Sequence, residues 1–192
     1  MVIEITYRLA ARADIPALEA LIPLSARQLQ RDYYSSEQLD GAIGTVFGLD
    51  TQLIKDGTYF VALAEGVIVG CGGWSRRITL YGGDRAKIEA DRLRDPQTEP
   101  AMIRAFFVHP DFARRGIGRE FIRRSEIAAT AAGFQRIEIV ATLAGELLYT
   151  ACGYVPAERI SIEVINGLRI TLVKMKREEN PPPTTAPTLP SS

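Results

Sequence analysis

The stretch VHPDFARRGIGREF, residues 108–121, constrains the fold of this chain more than any other part of it. Its order predicts the end of a strand, a basic glycine loop and the first turns of a helix. Gly116 and Gly118 remove two side chains where the backbone must turn and let a ligand approach closely. A helix that begins there presents unpaired N–H groups and the positive end of its dipole. The stretch therefore predicts a site for an anion.

Positive charge is concentrated at the same place. Arginines occupy positions 114, 115, 119, 123 and 124, and Glu120 is the only acid between residues 114 and 124. The whole chain has 23 basic and 23 acidic residues and a formal net charge of zero. Because the charge is local, it indicates a phosphate site rather than a generally basic protein. The balanced total argues against nucleic acid or an anionic membrane as a partner.

Two other phosphate-binding loops do not match. The loop G-x-x-x-x-G-K-[ST] of nucleoside triphosphatases requires a lysine after its second glycine, and the chain contains no such run. The dinucleotide fingerprint G-x-G-x-x-G would place its third glycine at position 121, where the chain has Phe121. A nucleotide-binding protein of another fold stays open as an alternative, and preferential binding of ATP or NAD would favour it.

The run FFVHPDFARRGIGREFI resembles the coenzyme A loop of the GNAT superfamily of N-acetyltransferases. The pattern of that loop is V-x-P followed by [RQ]-x-x-G-x-[GA], and it matches here at Val108, Pro110, Gly116 and Gly118. The [RQ] position falls on Ala113, which departs from the pattern and lacks the side-chain contact of that position.

Two further segments resemble the same family. Residues 138–154, EIVATLAGELLYTACGY, resemble its strand followed by a helix with L-Y-x-x-x-G-[FY], and the matches are Leu148, Tyr149, Gly153 and Tyr154. Residues 61–74, VALAEGVIVGCGGW, resemble its hairpin before the cofactor strand. The resemblance covers roughly residues 1–176 and implies an α/β GNAT fold. Such a fold has a central mixed, mostly antiparallel sheet with two splayed parallel strands, flanked by helices.

The resemblance implies that the chain uses acetyl-CoA as a cosubstrate and acetylates a primary amine. The pantetheine arm is expected between the strands at 101–108 and 136–142, and a backbone N–H of Val108 or Phe107 is expected to face the thioester oxygen. The pyrophosphate is expected on the N–H groups of residues 114–119, with Arg119, Arg123 or Arg124 near the outer phosphates. The cofactor-binding residues are thus expected to be Phe106, Phe107, Val108, Arg114, Arg115, Gly116, Ile117, Gly118, Arg119 and Thr142.

Tyr149 occupies the position of the family's general acid. A thiol titrates near about 8.5 and a phenol near about 10, so a neutral tyrosine can donate a proton to a departing thiolate. The alternative is a core tyrosine on a short helix. The presence of Tyr149 favours an active enzyme over a second hypothesis, a coenzyme A-binding module of the same fold that regulates or scaffolds.

The general base is not assigned by the sequence. Many relatives carry a glutamate early in the cofactor strand, where this chain has Met102, and this is the one feature that favours the non-catalytic module. A water chain, a backbone carbonyl, Glu99 or Glu138 stay open as the base. His109 is the only histidine and is expected to pack or hydrogen-bond in the turn rather than to act as a base.

The acceptor site is expected to involve Tyr33, Tyr34, Trp74 and Arg76. An aromatic pair with arginine would receive a small amine that also carries a carboxylate or another anion. The charged segment 81–100 is expected to be an exposed insertion or lid. A small-molecule amine is favoured over a protein amine because the chain is neutral overall.

Hydrophobic periodicity and turn residues predict an alternation of strands and helices. The predicted strands cover residues 2–9, 58–64, 67–80, 101–108 and 136–142. The predicted helices cover residues 14–30, a short stretch from Ser35, the stretch from the glycine loop to about 132, and residues 145–152. Asp14 is predicted to cap the first helix, and Ser35 forms a capping box with Gln38. The last hairpin is predicted to turn at Asn166-Gly167 with type I′ geometry.

The length of 192 residues and the 46% hydrophobic content fit one domain over residues 1–176, followed by a proline-rich tail over 177–192. Cys71 and Cys152 lack a metal-binding spacing, so we expect no metal and two reduced thiols in a cytoplasmic protein. No apolar run reaches the roughly 18 residues that span a bilayer, and the N-terminus lacks a signal-peptide layout. A homodimer could form through the C-terminal hairpin.

Overall fold

A seven-stranded mixed sheet forms the centre of the protein in a computed structural model, which describes residues 3–86 and 91–177. The strands are β1 Ile5–Leu9, β2 Tyr59–Ala64, β3 Val67–Ser75, β4 Ala101–Val108, β5 Ile137–Thr142, β6 Tyr154–Glu163 and β7 Arg169–Arg177. They lie in the order β1-β2-β3-β4-β5-β7-β6, and among them only β4 and β5 are parallel neighbours. This sheet confirms the predicted α/β fold.

Five α-helices cover the two faces of the sheet in the described residues. They are α1 Ile15–Leu29, α2 Ser36–Ala42, α3 Thr51–Lys55, α4 Ile117–Ala131 and α5 Leu143–Thr150. Val61 and Leu172 pack with α1, α2 and α3, whereas their neighbours Ala62 and Val173 pack with α4 and α5. Successive side chains of a strand alternate between faces, so the sheet buries two separate apolar layers. None of these helices has both the length and the apolar character needed to cross a membrane.

Two predicted boundaries are corrected by side-chain hydrogen bonds. Strand β3 ends at Ser75, not at residue 80, because the Ser75 hydroxyl accepts a bond from Arg77 N and the Arg77 guanidinium pairs with Asp56 at 2.7 Å. Helix α5 begins two residues earlier than predicted, since Thr142 Oγ1 accepts a bond from Gly145 N at 3.0 Å and caps the helix.

Asp14 occupies the N-cap position of α1 as predicted but does not cap it with its side chain, whereas the predicted capping box is confirmed. Asp14 makes no capping bond to α1, and its carboxylate instead binds Arg8 at 2.7 and 2.8 Å and accepts from Ala11 N. In the capping box, Ser35 Oγ accepts from Gln38 N and Gln38 Oε1 accepts from Ser35 N, which fixes the start of α2.

The turn between β6 and β7 is also different from the prediction. A type I′ turn requires positive φ at both central residues, but Gly167 has φ 78° and Asn166 has no positive φ. Gly167 N donates to Val164 O, and Val164 N donates to Leu168 O. These bonds close a three-residue loop with glycine in the left-handed position.

The chain between β3 and β4 is exposed over much of its described length, as the sequence predicts, but two buried glycines anchor its start. Gly82 and Gly83 are buried. Gly83 N donates to Thr45 O at 2.7 Å, and the buried Arg104 guanidinium donates to Gly82 O at 2.6 Å. The start of this segment is therefore fixed to the body of the protein, and a lid over the rest stays a prediction.

Two segments named by the sequence lie outside the described residues. Residues 87–90 belong to the predicted insertion, and the predicted tail follows β7, which ends at Arg177. The boundary between the domain and the tail stays a prediction.

A buried ion pair joins strand β4 to the loop before α3. Arg104 Nη1 lies 3.0 Å from Asp50 Oδ2, and the side chains are only 2% and 1% exposed. Asp50 Oδ1 also accepts from Gln52 N and so caps α3. Burial lowers the pKa of Arg104, and the nearby Asp50 carboxylate acts in the opposite direction and favours the charged form.

We expect Asp50→Asn to lower the free energy of unfolding by about 3 kcal/mol, because it leaves the buried Arg104 guanidinium without this counter-charge. Because asparagine keeps a side-chain oxygen that can cap α3, the loss of stability reports on the missing negative charge. Urea denaturation measures it. The double variant Asp50→Asn/Arg104→Met should recover most of the stability. An Asp50→Asn protein as stable as the parent would contradict the assignment.

Candidate active site

A bulge interrupts the middle of strand β4. Gly70 and Cys71 of β3 pair with Val108 and Phe107 of β4, but the register between the two strands shifts before Gly73. Ala105 lies opposite this shift and has a positive φ of 57°. A left-handed alanine is strained by about 1 kcal/mol or more, so the surroundings must hold it.

Tyr59 and Gly72 hold the bulge in place. The buried Tyr59 hydroxyl donates to Ala105 O at 2.7 Å. A Cβ on Gly72 would lie 2.5 Å from the Phe106 ring, so only glycine leaves room for that ring at this position. The Cys71 thiol lies beside Tyr59, and burial raises its pKa to about 12. Cys71 and Cys152 are both free thiols.

Strands β4 and β5 separate beyond the bulge. Their parallel pairing is limited to three positions and ends at Ile103 opposite Ile139. A cavity of about 810 Å³ opens between them, and its walls include Phe106–Val108 of β4 and Val140–Thr142 of β5. The expected splay of the two parallel strands is therefore present.

The N–H groups of β4 alternate between its two edges. His109 N–H donates to Val69 O of β3, so alternation directs Phe107 N–H toward β3 and Val108 N–H toward β5. The Val108 N–H donates to Ser25 Oγ at 3.0 Å. Two N–H groups were expected from the sequence to face the thioester oxygen. The N–H of Phe107 therefore points away from the gap, and the N–H of Val108 is hydrogen-bonded to α1. Phe106 lies in the bulge, where the regular alternation is interrupted, and it lines the cavity.

The glycine loop leads from β4 to the start of α4. Gly116 is the residue before the helix and has φ 83°, and Arg114 also has a positive φ of 63°. The first backbone bond of the helix runs from Glu120 N to Gly116 O. The N–H groups of Ile117–Arg119 thus remain available for an anion at the end of the cavity.

The five arginines of this region have different partners. Arg114 and Arg119 line the cavity. Arg115 lies over the Phe112 ring at 5.0 Å and is not among the lining residues. Arg123 and Arg124 both donate to Glu120 at 2.7 to 2.8 Å, and Arg124 also lies 4.9 Å from the Tyr7 ring.

Tyr149 lines the cavity on the side of α5. Its ring packs between Phe106 at 6.0 Å and Tyr154 at 6.1 Å, and the residue is 5% exposed. Its hydroxyl makes no hydrogen bond within the part of the chain that the structure describes. Burial, and then the proximity of Cys152, raise the pKa of Tyr149 well above its usual value. The hydroxyl stays protonated at neutral pH.

The Tyr34 hydroxyl is used in hydrogen bonds that stabilise the wall of the cavity. Its hydroxyl donates to Thr171 O at 2.6 Å and accepts from Leu143 N at 3.0 Å, and the residue is 4% exposed. It thereby fixes the start of α5 against β7. The sequence placed Tyr34 in the acceptor site, and the structure gives it this supporting position instead.

The other three acceptor residues expected from the sequence are not brought together. Tyr33 lines the cavity and is 43% exposed. Trp74 is buried against Phe134 on the α4 face of the sheet, with ring centroids 5.9 Å apart, and Arg76 is also outside the lining.

Sequence reasoning missed one half of the cavity, which we call the α1 half. Its lining residues are Ser25, Leu29, Gln30, Tyr33, Val46, Phe47, Gly48, Leu80, Tyr81 and Gly82. The members at 25, 29 and 33 are four residues apart, a spacing that brings side chains to one face of a helix. Ser25 and Leu29 lie on α1, so their spacing was a usable signal, whereas Tyr33 lies in the turn after α1 and the loops at 46–48 and 80–82 reach the cavity only through tertiary contacts.

None of the acids or the histidine considered as a base lines the cavity. Glu99 binds Arg92 and Asp95 N, and the guanidinium of Arg92 lowers the pKa of Glu99 to about 2. Glu138 is in β5 opposite Lys176. His109 Nδ1 accepts from Asp111 N, so the histidine has the turn role that the sequence predicts. Among the described residues there is also no group of histidine, cysteine or acidic side chains that could hold a metal ion.

The family of the chain is shown by its match to known proteins. Residues 55–156 match a family model described as an acetyltransferase (GNAT) domain, which is more than half of the chain. The chain therefore belongs to the GNAT family, and this membership implies acyl-transferase activity.

Several solved structures share the fold over almost the whole chain. A GCN5-related N-acetyltransferase from Rhodopseudomonas palustris is 23% identical with a TM-score of 0.67, over 92% of this chain and 98% of its own. The PaiA N-acetyltransferase from Thermoplasma acidophilum, in complex with coenzyme A, is 13% identical with a TM-score of 0.60, over 91% and 99%. A ribosomal-protein-alanine N-acetyltransferase from Brucella melitensis is 16% identical with a TM-score of 0.60, over 90% and 98%. A search of curated proteins finds no match.

Proposed function

We propose that this chain is an acetyl-CoA-dependent N-acetyltransferase that acetylates a primary amine of a small molecule. The observation that carries the proposal is the gap between β4 and β5. Parallel pairing stops at Ile103, and the cavity that opens there extends to the unpaired N–H groups at the start of α4. Such a gap suits a long, thin ligand with an anionic end. The Thermoplasma relative, which has this fold, was solved with coenzyme A.

The residues present fit coenzyme A along its length. The pantetheine arm would bind the backbone edge of Phe106–Val108, with Thr142 on the opposite wall. The pyrophosphate would bind the N–H groups of Ile117–Arg119 with the help of Arg114. Arg115 would contribute positive charge from outside the cavity, and we expect less of Arg123 and Arg124 because Glu120 already pairs with both.

The proposed reaction is direct transfer. The neutral amine nitrogen attacks the thioester carbon, a C–N bond forms and the C–S bond breaks. The backbone N–H of Phe106, at the bulge beside the gap, would stabilise the negative charge that develops on the carbonyl oxygen. Tyr149 would donate its proton to the departing thiolate, the surplus proton of the amine would leave to water, and Tyr149 would regain a proton from water to close the cycle.

The role of Tyr149 is tested by Tyr149→Phe. We expect kcat to fall about 100-fold, since a positioned proton donor contributes rate enhancements of that order. Acetyl-CoA affinity should change little because the ring is kept. Free-thiol release measures the rate, and calorimetry measures the affinity.

Tyr154→Phe is the matched control for this variant. Tyr154 packs against the same ring, but its hydroxyl binds Glu126 and it does not line the cavity. Loss of the Tyr154 hydroxyl should leave kcat within a few fold of the parent value. A Tyr149→Phe enzyme with the parent rate would remove the general-acid assignment.

The pH dependence tests how the amine loses its proton. The described lining contains no carboxylate or imidazole, so the free-base fraction of the amine should control the reaction. We expect kcat/KM to rise about tenfold per pH unit below the pKa of the amine, near 10.4 for an alkylamine. The raised pKa of Tyr149 keeps this acid protonated over the same range. A plateau beginning near pH 7 with every amine would show a base in the enzyme.

A second candidate is a coenzyme A-binding module that regulates or scaffolds without turnover. The lack of an acidic or imidazole side chain in the described lining is the observation that favours it. Amine-dependent thiol release from acetyl-CoA, measured over a broad panel of amines, separates the two. Release supports the enzyme, and binding without release for every amine supports the module.

The proposal also covers the location, the acceptor and the oligomeric state of the enzyme. We infer a cytoplasmic location because both cysteines are free thiols. A small-molecule acceptor is our inference for this chain, although the Brucella relative is named for a protein acceptor. A homodimer through the β6–β7 hairpin stays a prediction.

A further inference from the structure

The side chain of Ser25 lies where the sequence predicts the thioester oxygen to bind. The N–H of Val108, one of the two groups expected to face that oxygen, donates instead to Ser25 Oγ at 3.0 Å. A carbonyl oxygen that accepted this N–H directly would have to occupy the same position, because a hydrogen bond fixes both distance and direction. A thioester that approaches this end of β4 therefore meets the Ser25 hydroxyl in place of the N–H.

The Ser25 hydroxyl has an unused proton. A serine hydroxyl offers one O–H donor and two acceptor lone pairs, and the bond from Val108 N–H uses one of the lone pairs. Serines in helices often donate to a carbonyl of the preceding turn, but within the described residues the Ser25 O–H has no acceptor. Ser25 is buried and lines the cavity. A buried donor without an acceptor is unfavourable, so an oxygen brought in by a ligand would be bound there.

The surroundings of Ser25 suit a hydrogen-bond donor rather than a nucleophile. A serine nucleophile needs a base that takes its proton, and the described lining contains no carboxylate or imidazole. The bond from Val108 N–H has the opposite effect, since hydrogen bonds in a chain polarise one another and this bond makes the O–H a stronger donor. The Ser25 hydroxyl therefore fits the role of a donor to developing negative charge.

We propose that Ser25 is a further catalytic residue, whose hydroxyl donates a hydrogen bond to the carbonyl oxygen of the acetyl thioester. The bond strengthens as the amine attacks and negative charge develops on this oxygen. Ser25 keeps its proton throughout, and its hydroxyl adds a second donor to the backbone N–H of Phe106. The proton for the departing thiolate still comes from Tyr149. The proposal rests on the proposed N-acetyltransferase function.

The first test removes the hydroxyl. We expect Ser25→Ala to lower kcat about 100-fold, the order of loss when one donor to a developing oxyanion is removed. Its affinity for coenzyme A, which has no acetyl carbonyl, should equal that of the parent. Ser25→Thr keeps a hydroxyl on the same carbon and should recover most of the rate. Free-thiol release from acetyl-CoA measures kcat, and calorimetry measures the affinity.

Ser125→Ala is the matched control. Ser125 is a buried serine of the long helix α4, its hydroxyl has no partner among the described residues, and it does not line the cavity. Loss of this hydroxyl should leave kcat unchanged. A Ser25→Ala enzyme that is as fast as the parent, or faster, would show that the freed Val108 N–H or another donor binds the thioester oxygen, and would overturn the proposal.

The second test observes the contact itself through the carbonyl stretch of bound acetyl-CoA. A donor at the carbonyl oxygen polarises the C=O bond and lowers its stretching frequency. Infrared difference spectra of acetyl-CoA with and without a ¹³C label at this carbonyl isolate the band. We expect a lower frequency on the parent than on Ser25→Ala, and the parent frequency on Ser125→Ala. Equal frequencies on the parent and on Ser25→Ala would overturn the contact, even where the rate falls.

The two measurements separate a failure of this proposal from a failure of the proposed function. The infrared spectrum needs no amine, whereas thiol release needs one. Binding of acetyl-CoA by the parent without thiol release for any amine would overturn the enzymatic function, and the catalytic role of Ser25 with it. Amine-dependent release that Ser25→Ala does not slow would overturn the role of Ser25 alone. A weaker affinity of Ser25→Ala for coenzyme A would place the hydroxyl on the pantetheine arm and overturn its role at the thioester.

Discussion

The hydrogen bond from the Tyr59 hydroxyl to the carbonyl of Ala105 holds a strained residue in the middle of a strand. Without a partner at this carbonyl, a left-handed alanine would cost about 1 kcal/mol or more with no compensation. Because β4 bulges there, its later residues turn away from β5 and the parallel pairing ends at Ile103. The cavity and the directions of the β4 N–H groups both depend on that divergence.

Two contacts keep the gap open from its sides. Ser25 Oγ binds Val108 N–H, which ties the end of β4 to α1. The Tyr34 hydroxyl joins Leu143 N to Thr171 O, which ties the start of α5 to β7. One wall of the gap is thus fixed to helix α1 and the other to strand β7, so the space between them is built before a ligand arrives.

The parts of the site that the sequence could predict are those whose chemistry is local. The glycine loop and the Ser35 capping box depend on neighbours within a few residues, and both are present where the pattern places them. The α1 half of the cavity depends on distant segments that meet only in the fold, so Gln30 and Tyr81 had no local signal. Trp74 and Tyr34 were assigned to the acceptor site by residue type. Burial against Phe134 and hydrogen bonds across the sheet give them other positions. The geometry of the turn at Asn166 was predicted wrongly because a dipeptide preference does not fix the loop length.

The central claim is that the gap between β4 and β5 binds acetyl-CoA, and calorimetric titration of the intact chain with acetyl-CoA tests it most directly. The structure predicts saturable binding of one molecule per chain, with phosphates at the start of α4 and the pantetheine arm along β4. An absence of binding would contradict this account of the gap and of the glycine loop together.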